Sequence, residues 1–330
     1  MKQMYIGKSG IQVSALGIGA WAIGGDSSWG PSDDSESIRT IRRARELGVT
    51  LLDTAPAYGL GHSEEVAGRA LEGRRGDYIL STKCGLRWDT DEGSLHMERD
   101  GVKLRRNTSA ASLALELERS LRRLRTDYID IYIVHWQSLP DFPVPVSETM
   151  TFLLKAKQEG KIRAIGVSNV SAEQLTGYLT CGQVDLIQEK YSMLDQAKGD
   201  ELFGLCDRNG VTFQCYSPLE RGALTGKYKV GDPVNMGRAK AGIKWYKPEF
   251  LPRITALSDA WAPLCKKYGC TMTNLVAAWT AAQGNGSNVQ VLVGARTTAQ
   301  IEENVKDITL EDADIETMRK DALAVEHGGA

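Results

Sequence analysis

Eight short apolar runs, at residues 16–23, 50–55, 78–83, 129–135, 163–168, 186–191, 211–217 and 290–295, alternate with segments of helical periodicity. Apolar runs of this length read as buried strands, and strands that alternate with helices pair in parallel. The helical segments carry their own signals. Within 109–125, Leu113, Leu117, Leu121 and Leu124 fall on one face, as an amphipathic helix requires. Ser171 and Gln174 frame a capping box, and Gly48 and Gly160 stand where helices should end, each just ahead of a strand. The economical closed solution is an α/β fold of the (β/α)8 type, a TIM barrel. An open doubly wound sheet is the alternative, but Gly17-x-Gly19-x-x-Ala22 departs from the full glycine fingerprint that would favour it.

Ahead of the first run, residues 4–14 read as a β-hairpin around Gly7-Lys8-Ser9-Gly10, placed to plug one end of the barrel. Two connections, 84–108 and 218–253, are too long to be neutral. Both leave the C-terminal ends of strands, where barrel enzymes carry their chemistry, and they read as long cover loops. A length of 330 residues suits one such barrel, so residues 1–330 are expected to form a single domain.

Composition narrows the function. A net charge of -2, with basic and acidic residues interspersed, gives no footprint for nucleic acid. No apolar stretch approaches the ~20 residues that span a bilayer. The start, Met1-Lys2-Gln3-Met4-Tyr5, lacks the apolar core of a secretory signal, so a cytoplasmic location without a membrane partner is expected. Cys84, Cys181, Cys206, Cys215, Cys265 and Cys270 show no C-x-x-C spacing and read as free thiols. The histidines, His62, His96, His135 and His327, are widely separated, and no metal is expected.

Polar groups stand where the apolar runs stop. Asp53 follows one run, with Tyr58 in the loop beyond it, Lys83 ends another, His135 a third, and Ser168-Asn169 a fourth. Each has a plain structural explanation alone: a loop cap, a satisfied interior histidine, a snorkelling lysine. In a barrel, however, strand ends converge on one mouth, and these residue types together make a proton-donating site. An ammonium at Lys83 would lower the pKa of the Tyr58 phenol, and Asp53 would offset the cost of burying that ammonium. His135 would hold a substrate carbonyl toward Tyr58.

These residues and the runs around them resemble the aldo-keto reductase family. The similarity lies in Leu52-Asp53-Thr54-Ala55-Pro56-Ala57-Tyr58-Gly59, Ser63-Glu64-Glu65, Ser81-Thr82-Lys83, His135-Trp136, residues 160–169, and Gly294-Ala295-Arg296-Thr297. Residues 19–25 and 217–227 are similar to a bacterial branch that includes general stress and methylglyoxal or glyceraldehyde reductases. The resemblance implies NAD(P)H-dependent reduction of small aldehydes such as these, with Asp53, Tyr58, Lys83 and His135 as catalytic tetrad and Tyr58 as general acid.

It also implies the cofactor's surroundings. Ser168, Asn169 and Gln188 would hold the carboxamide, and Tyr216 would stack on the nicotinamide. Ser217, Leu219, Gly222 and Lys227 would follow the pyrophosphate, and Gly294, Arg296, Gln300, Glu303 and Asn304 would reach the adenosine end. NADPH is the expected cofactor, with Arg296 on its 2′-phosphate. NADH is the alternative, because many relatives carry a Lys-Ser pair in place of Gly294-Ala295 and a second Arg in place of Gln300; Asp232 is a candidate partner for an unphosphorylated ribose. Trp21 and Trp136, with Trp88, are candidate walls for a small carbonyl substrate, while Lys103, Arg105 and Arg106 read as a solvated charged loop. The alternative function is a cofactor-sensing regulatory or binding subunit with slow reductase chemistry.

Overall fold

The protein is described by a computed structural model that covers residues 1–231, 237–284 and 288–327. A hairpin of β1 (Gln3–Ile6) and β2 (Ile11–Ser14) leads into β3 (Leu16–Gly19), β4 (Leu51–Asp53) and β5 (Ile79–Cys84). A side sheet of β6 (Leu86–Arg87), β7 (Ser94–Arg99) and β8 (Val102–Arg106) follows. The strands β9 (Ile129–Val134), β10 (Ile162–Ser168), β11 (Leu186–Lys190), β12 (Thr212–Tyr216) and β13 (Val289–Gly294) complete the set. Eight of these, β3-β4-β5-β9-β10-β11-β12-β13, close as a parallel barrel, with Val291 of β13 beside Leu16 of β3.

Helices α1 (Asp34–Glu46), α2 (His62–Ala70), α3 (Ala110–Leu124), α4 (Val146–Gln158), α5 (Ala172–Cys181) and α6 (Ala197–Asn209) form the outer ring together with later ones. Between β12 and β13 lie α7 (Arg238–Ala241), α8 (Leu251–Tyr268) and α9 (Met272–Ala281), while α10 (Thr298–Asn304) and α11 (Asp312–His327) follow β13. Local chemistry fixes their ends. The Ser109 hydroxyl accepts from the Ser112 amide at the start of α3, and the box between Ser171 and Gln174 opens α5 in both directions. Gly48 and Gly160 take positive φ just past α1 and α4, which lets the chain turn sharply into the next strand.

The hairpin fills the lower end of the barrel: Ile6, Ile11 and Val13 pack on Leu51, Ile131, Ile133, Ala164, Leu186 and Leu292. Burying each such side chain contributes about 1.5–3 kcal/mol, and the apolar plug confines any polar chemistry to the opposite mouth. Among the described residues no helix is long and apolar enough to cross a membrane.

Two expectations need correction. The first strand stops at Gly19, because the chain turns into a short 3-10 helix at Trp21–Gly24. The 84–108 connection is an antiparallel sheet rather than a structureless loop. Its hairpin turns at Asp100-Gly101, both with positive φ, the geometry of a tight two-residue turn.

Candidate active site

Tyr58 sits on a loop that β4 throws over the barrel mouth. The loop is clamped by a backbone approach: a Cβ on Gly59 would lie 2.1 Å from the Gly24 carbonyl oxygen, and one on Gly24 would lie 2.8 Å from the Tyr58 carbonyl carbon. Only glycine fits at either position. The Ser63 hydroxyl donates to the Ala20 carbonyl and bonds the Thr54 hydroxyl, tying the loop to the first strand end.

Below Tyr58 lies the ion pair expected of the site. Lys83 Nζ donates to Asp53 Oδ2 at 2.7 Å and to the Thr54 carbonyl at 2.8 Å, and it stands 4.9 Å from the centre of the Tyr58 ring. Lys83 is fully buried. Burial works against its charge, but Asp53 and Tyr58 more than offset this, and its pKa lies above the ordinary lysine value. The His135 ring meets Tyr58 edge-on at 6.0 Å. Burial and the positive charge of Lys83 hold its pKa well below the usual range, so the imidazole is neutral. Asp53, Tyr58, Lys83 and His135 therefore meet at one rim.

One expectation about their electrostatics is reversed. Burial raises the Tyr58 phenol above its ordinary pKa; Lys83 pulls it down, Asp53 pushes it up, and the net result stays upward. The phenol consequently keeps its proton at neutral pH.

Asp53 is also held from the other side by a chain of amides that sequence reasoning missed. Gln290 Nε2 donates to the Ser14 carbonyl at 2.9 Å, Gln214 Nε2 to Gln290 at 2.6 Å, and Gln188 Nε2 to Gln214 at 2.6 Å and Asp53 Oδ1 at 3.0 Å. A carbonyl cannot donate, so Ser14 fixes the direction of every amide above it. The signal was present: these glutamines occupy one register level of β11, β12 and β13 inside otherwise apolar strands. Both hydrogens of Gln188 are spent, which leaves its oxygen as the atom it can offer.

A cavity of about 640 Å³ runs from this rim across the barrel mouth. Trp21, Trp136, Ser168, Asn169, Gln188, Tyr216, Ser217, Leu219, Gly222, Lys227, Gly294, Arg296, Gln300 and Asn304 all line it, whereas Trp88 and Glu303 do not. Several of these side chains are engaged within the protein. The Asn169 amide donates to the His135 carbonyl and Ser168 hydroxyl and accepts from the Tyr216 hydroxyl at 2.8 Å, and the Ser168 hydroxyl donates to the Gln188 carbonyl. Lys227 pairs with Glu303 at 2.7 Å. The Arg296 guanidinium donates to the Trp29 and Pro31 carbonyls, and its backbone amide to Gln300. Asn304 Nδ2 donates to the Gly294 carbonyl. Asp232 lies outside the described residues.

Arg221 was not singled out from the sequence, although with Lys227 it is one of two basic residues in the 217–227 run. Its Nη1 donates to the Ala239 carbonyl, its guanidinium lies 5.0 Å from the Trp21 ring centre, and its Nε is buried without a partner among the described residues. Ser217, Glu220 and Arg221 hold positive φ, a strain typical of functional walls and costing about 1–3 kcal/mol each.

The chain is similar to known proteins along nearly its whole length. The sequence pattern of the Aldo/keto reductase family matches residues 15–321. The chain is 42% identical to the NADH-specific methylglyoxal reductase of Escherichia coli (strain K12), over 99% of this chain and 100% of that one. It is 37% identical to the aldo-keto reductase YhdN of Bacillus subtilis (strain 168), over 92% of this chain and 87% of that one. Among solved structures, the glycerol dehydrogenase from Gluconobacter oxydans matches with a TM-score of 0.85 and 32% identity, covering 99% of this chain and 96% of that one. The chain belongs to the aldo/keto reductase family.

Proposed function

We propose that the protein reduces small aldehydes, with methylglyoxal and glyceraldehyde as representative substrates, using a nicotinamide dinucleotide. The observation that carries this reading is the buried Lys83–Asp53 pair directly beneath a protonated Tyr58, with neutral His135 at its edge. Tyr58 gives its proton to the carbonyl oxygen as the carbonyl carbon is reduced. Lys83 stabilises the phenolate that remains, and Asp53 keeps Lys83 charged without leaving a lone ion in the barrel. His135, being neutral, hydrogen-bonds the carbonyl without competing for the proton and holds it toward Tyr58.

The chain's residues fit the dinucleotide. The orphaned Nε of Arg221 is a buried cationic donor on the wall formed by Ser217, Leu219 and Gly222, suited to an anionic pyrophosphate. Gln188 offers an amide oxygen to a carboxamide, and Tyr216 offers a ring face. When bound, the reduced nicotinamide supplies the hydride. NADPH is the partner if Arg296 releases the Trp29 and Pro31 carbonyls to a 2′-phosphate, and NADH if it keeps them; the Escherichia coli relative is named as NADH-specific.

An aldehyde panel assayed with both cofactors tests the proposal. Multiple-turnover oxidation of NADPH or NADH by methylglyoxal or glyceraldehyde is expected. Tight dinucleotide binding with no turnover on any aldehyde would refute it.

A further inference from the structure

A second histidine enters the cavity from outside the tetrad. His96 stands on β7 of the side sheet and lines the cavity beside Trp136. Its ring packs on Trp136 with centroids 4.9 Å apart, and the Arg106 guanidinium lies over the same indole at 4.7 Å. Arg106 Nε donates to His96 Nδ1 at 3.1 Å. A guanidinium can only donate, so Nδ1 must accept and the ring hydrogen must sit on Nε2. The Arg106 contact thus settles the tautomer, and stacking on Trp136 settles the plane. Burial, with Arg106 and Arg99 beside it, pushes the ring's pKa down to about 4. Nε2 makes no hydrogen bond among the described residues, and the half-buried ring leaves it accessible.

The neighbouring cations are already committed. Arg99 pairs with Asp26 at 2.8 Å and donates to the Ala57 carbonyl, and Arg106 also donates to the Gln137 carbonyl. They are therefore poor hosts for a phosphate or carboxylate. The other walls at this end are largely apolar, with Trp21, Leu86, Met97 and Leu104. Against such walls a preset neutral donor is matched to one further oxygen on a small, uncharged substrate.

We propose that His96 is a specificity residue, donating from Nε2 to an oxygen on the carbon next to the reacting carbonyl, so that the preferred substrates are small aldehydes oxygenated at C2. This rests on the carbonyl-reductase reading above and names the substrate class of that same site. Tyr58 and His135 serve the reacting oxygen; His96 serves the neighbouring one.

The test is the ratio of kcat/KM for methylglyoxal or glycolaldehyde to kcat/KM for propionaldehyde, in wild type, His96→Leu and His96→Gln. The ratio is expected to fall about tenfold to a hundredfold in His96→Leu, the cost of leaving a buried oxygen unpaired. His96→Gln, which keeps a neutral donor, should recover part of it. An unchanged ratio in a His96→Leu enzyme that still turns over would overturn the role of His96 alone. If the wild type reduces none of these aldehydes, the reductase reading fails and this assignment with it.

Discussion

Tyr58 is more protonated than its neighbour Lys83 alone would make it, because desolvation and the Asp53 charge both resist the phenolate. The consequence is readable in solution. Reduction should proceed at a nearly constant kcat from about pH 6 to about pH 9, since His135 is already neutral and Tyr58 loses its proton only above the phenol's usual range near 10. A descending alkaline limb centred near pH 8 in steady-state kinetics would show that Lys83 outweighs burial. Residues at strand ends were legible because Asp53, Lys83 and His135 each interrupt an apolar run. His96 and Arg221 were not: their partners, Arg106, Trp136 and Ala239, are brought to them only by the folding of the covers.

At the scale of elements, the end of β5 rests on a buried acid. Glu116 of α3 accepts from the Gly85 amide at 2.9 Å and from the Ser112 hydroxyl, and burial raises its pKa to about 8 against the pull of those bonds. The folded state thus holds a proton that the unfolded chain, near 4.5, releases sooner. Stability from this group is complete below about 4.5 and is lost as pH rises through about 8. Glu116→Gln should flatten part of that loss, seen as urea midpoints that differ less between pH 6 and pH 9 than in the wild type. An identical pH slope in the variant would contradict the assignment. Barrel strands were legible to within a residue or two, apart from the first, since an uninterrupted apolar run is their signature. The side sheet was missed because its strands expose Leu95 and Met97 while carrying charge, which blurs the alternation; the Asp100-Gly101 turn was the cue available.

At the scale of the molecule, segments far apart in sequence meet over the cavity. Arg99 bridges the side sheet to Asp26, the Ala239 amide donates to the Ser28 carbonyl, Arg296 reaches Trp29 and Pro31, and Lys227 pairs with Glu303. The Lys227–Glu303 pair is partly exposed and worth little to stability, so its use lies in holding the 218–253 cover to α10. Lys227→Ala should release bound dinucleotide about threefold to tenfold faster in stopped-flow fluorescence, with little change in the unfolding midpoint. An unchanged release rate would remove the tether from the account. None of these bridges was legible, because each joins partners that only the closed barrel brings within reach. The barrel's purpose in this account is to carry one phenol, poised over a buried ion pair, to a carbonyl. The most direct measurement is a pair of numbers on Tyr58→Phe: dinucleotide affinity by fluorescence titration, and steady-state aldehyde reduction. Affinity should stay close to that of the wild type while reduction falls by ~10²–10⁴-fold, the share of a positioned general acid. Near wild-type reduction by that variant would contradict the central claim.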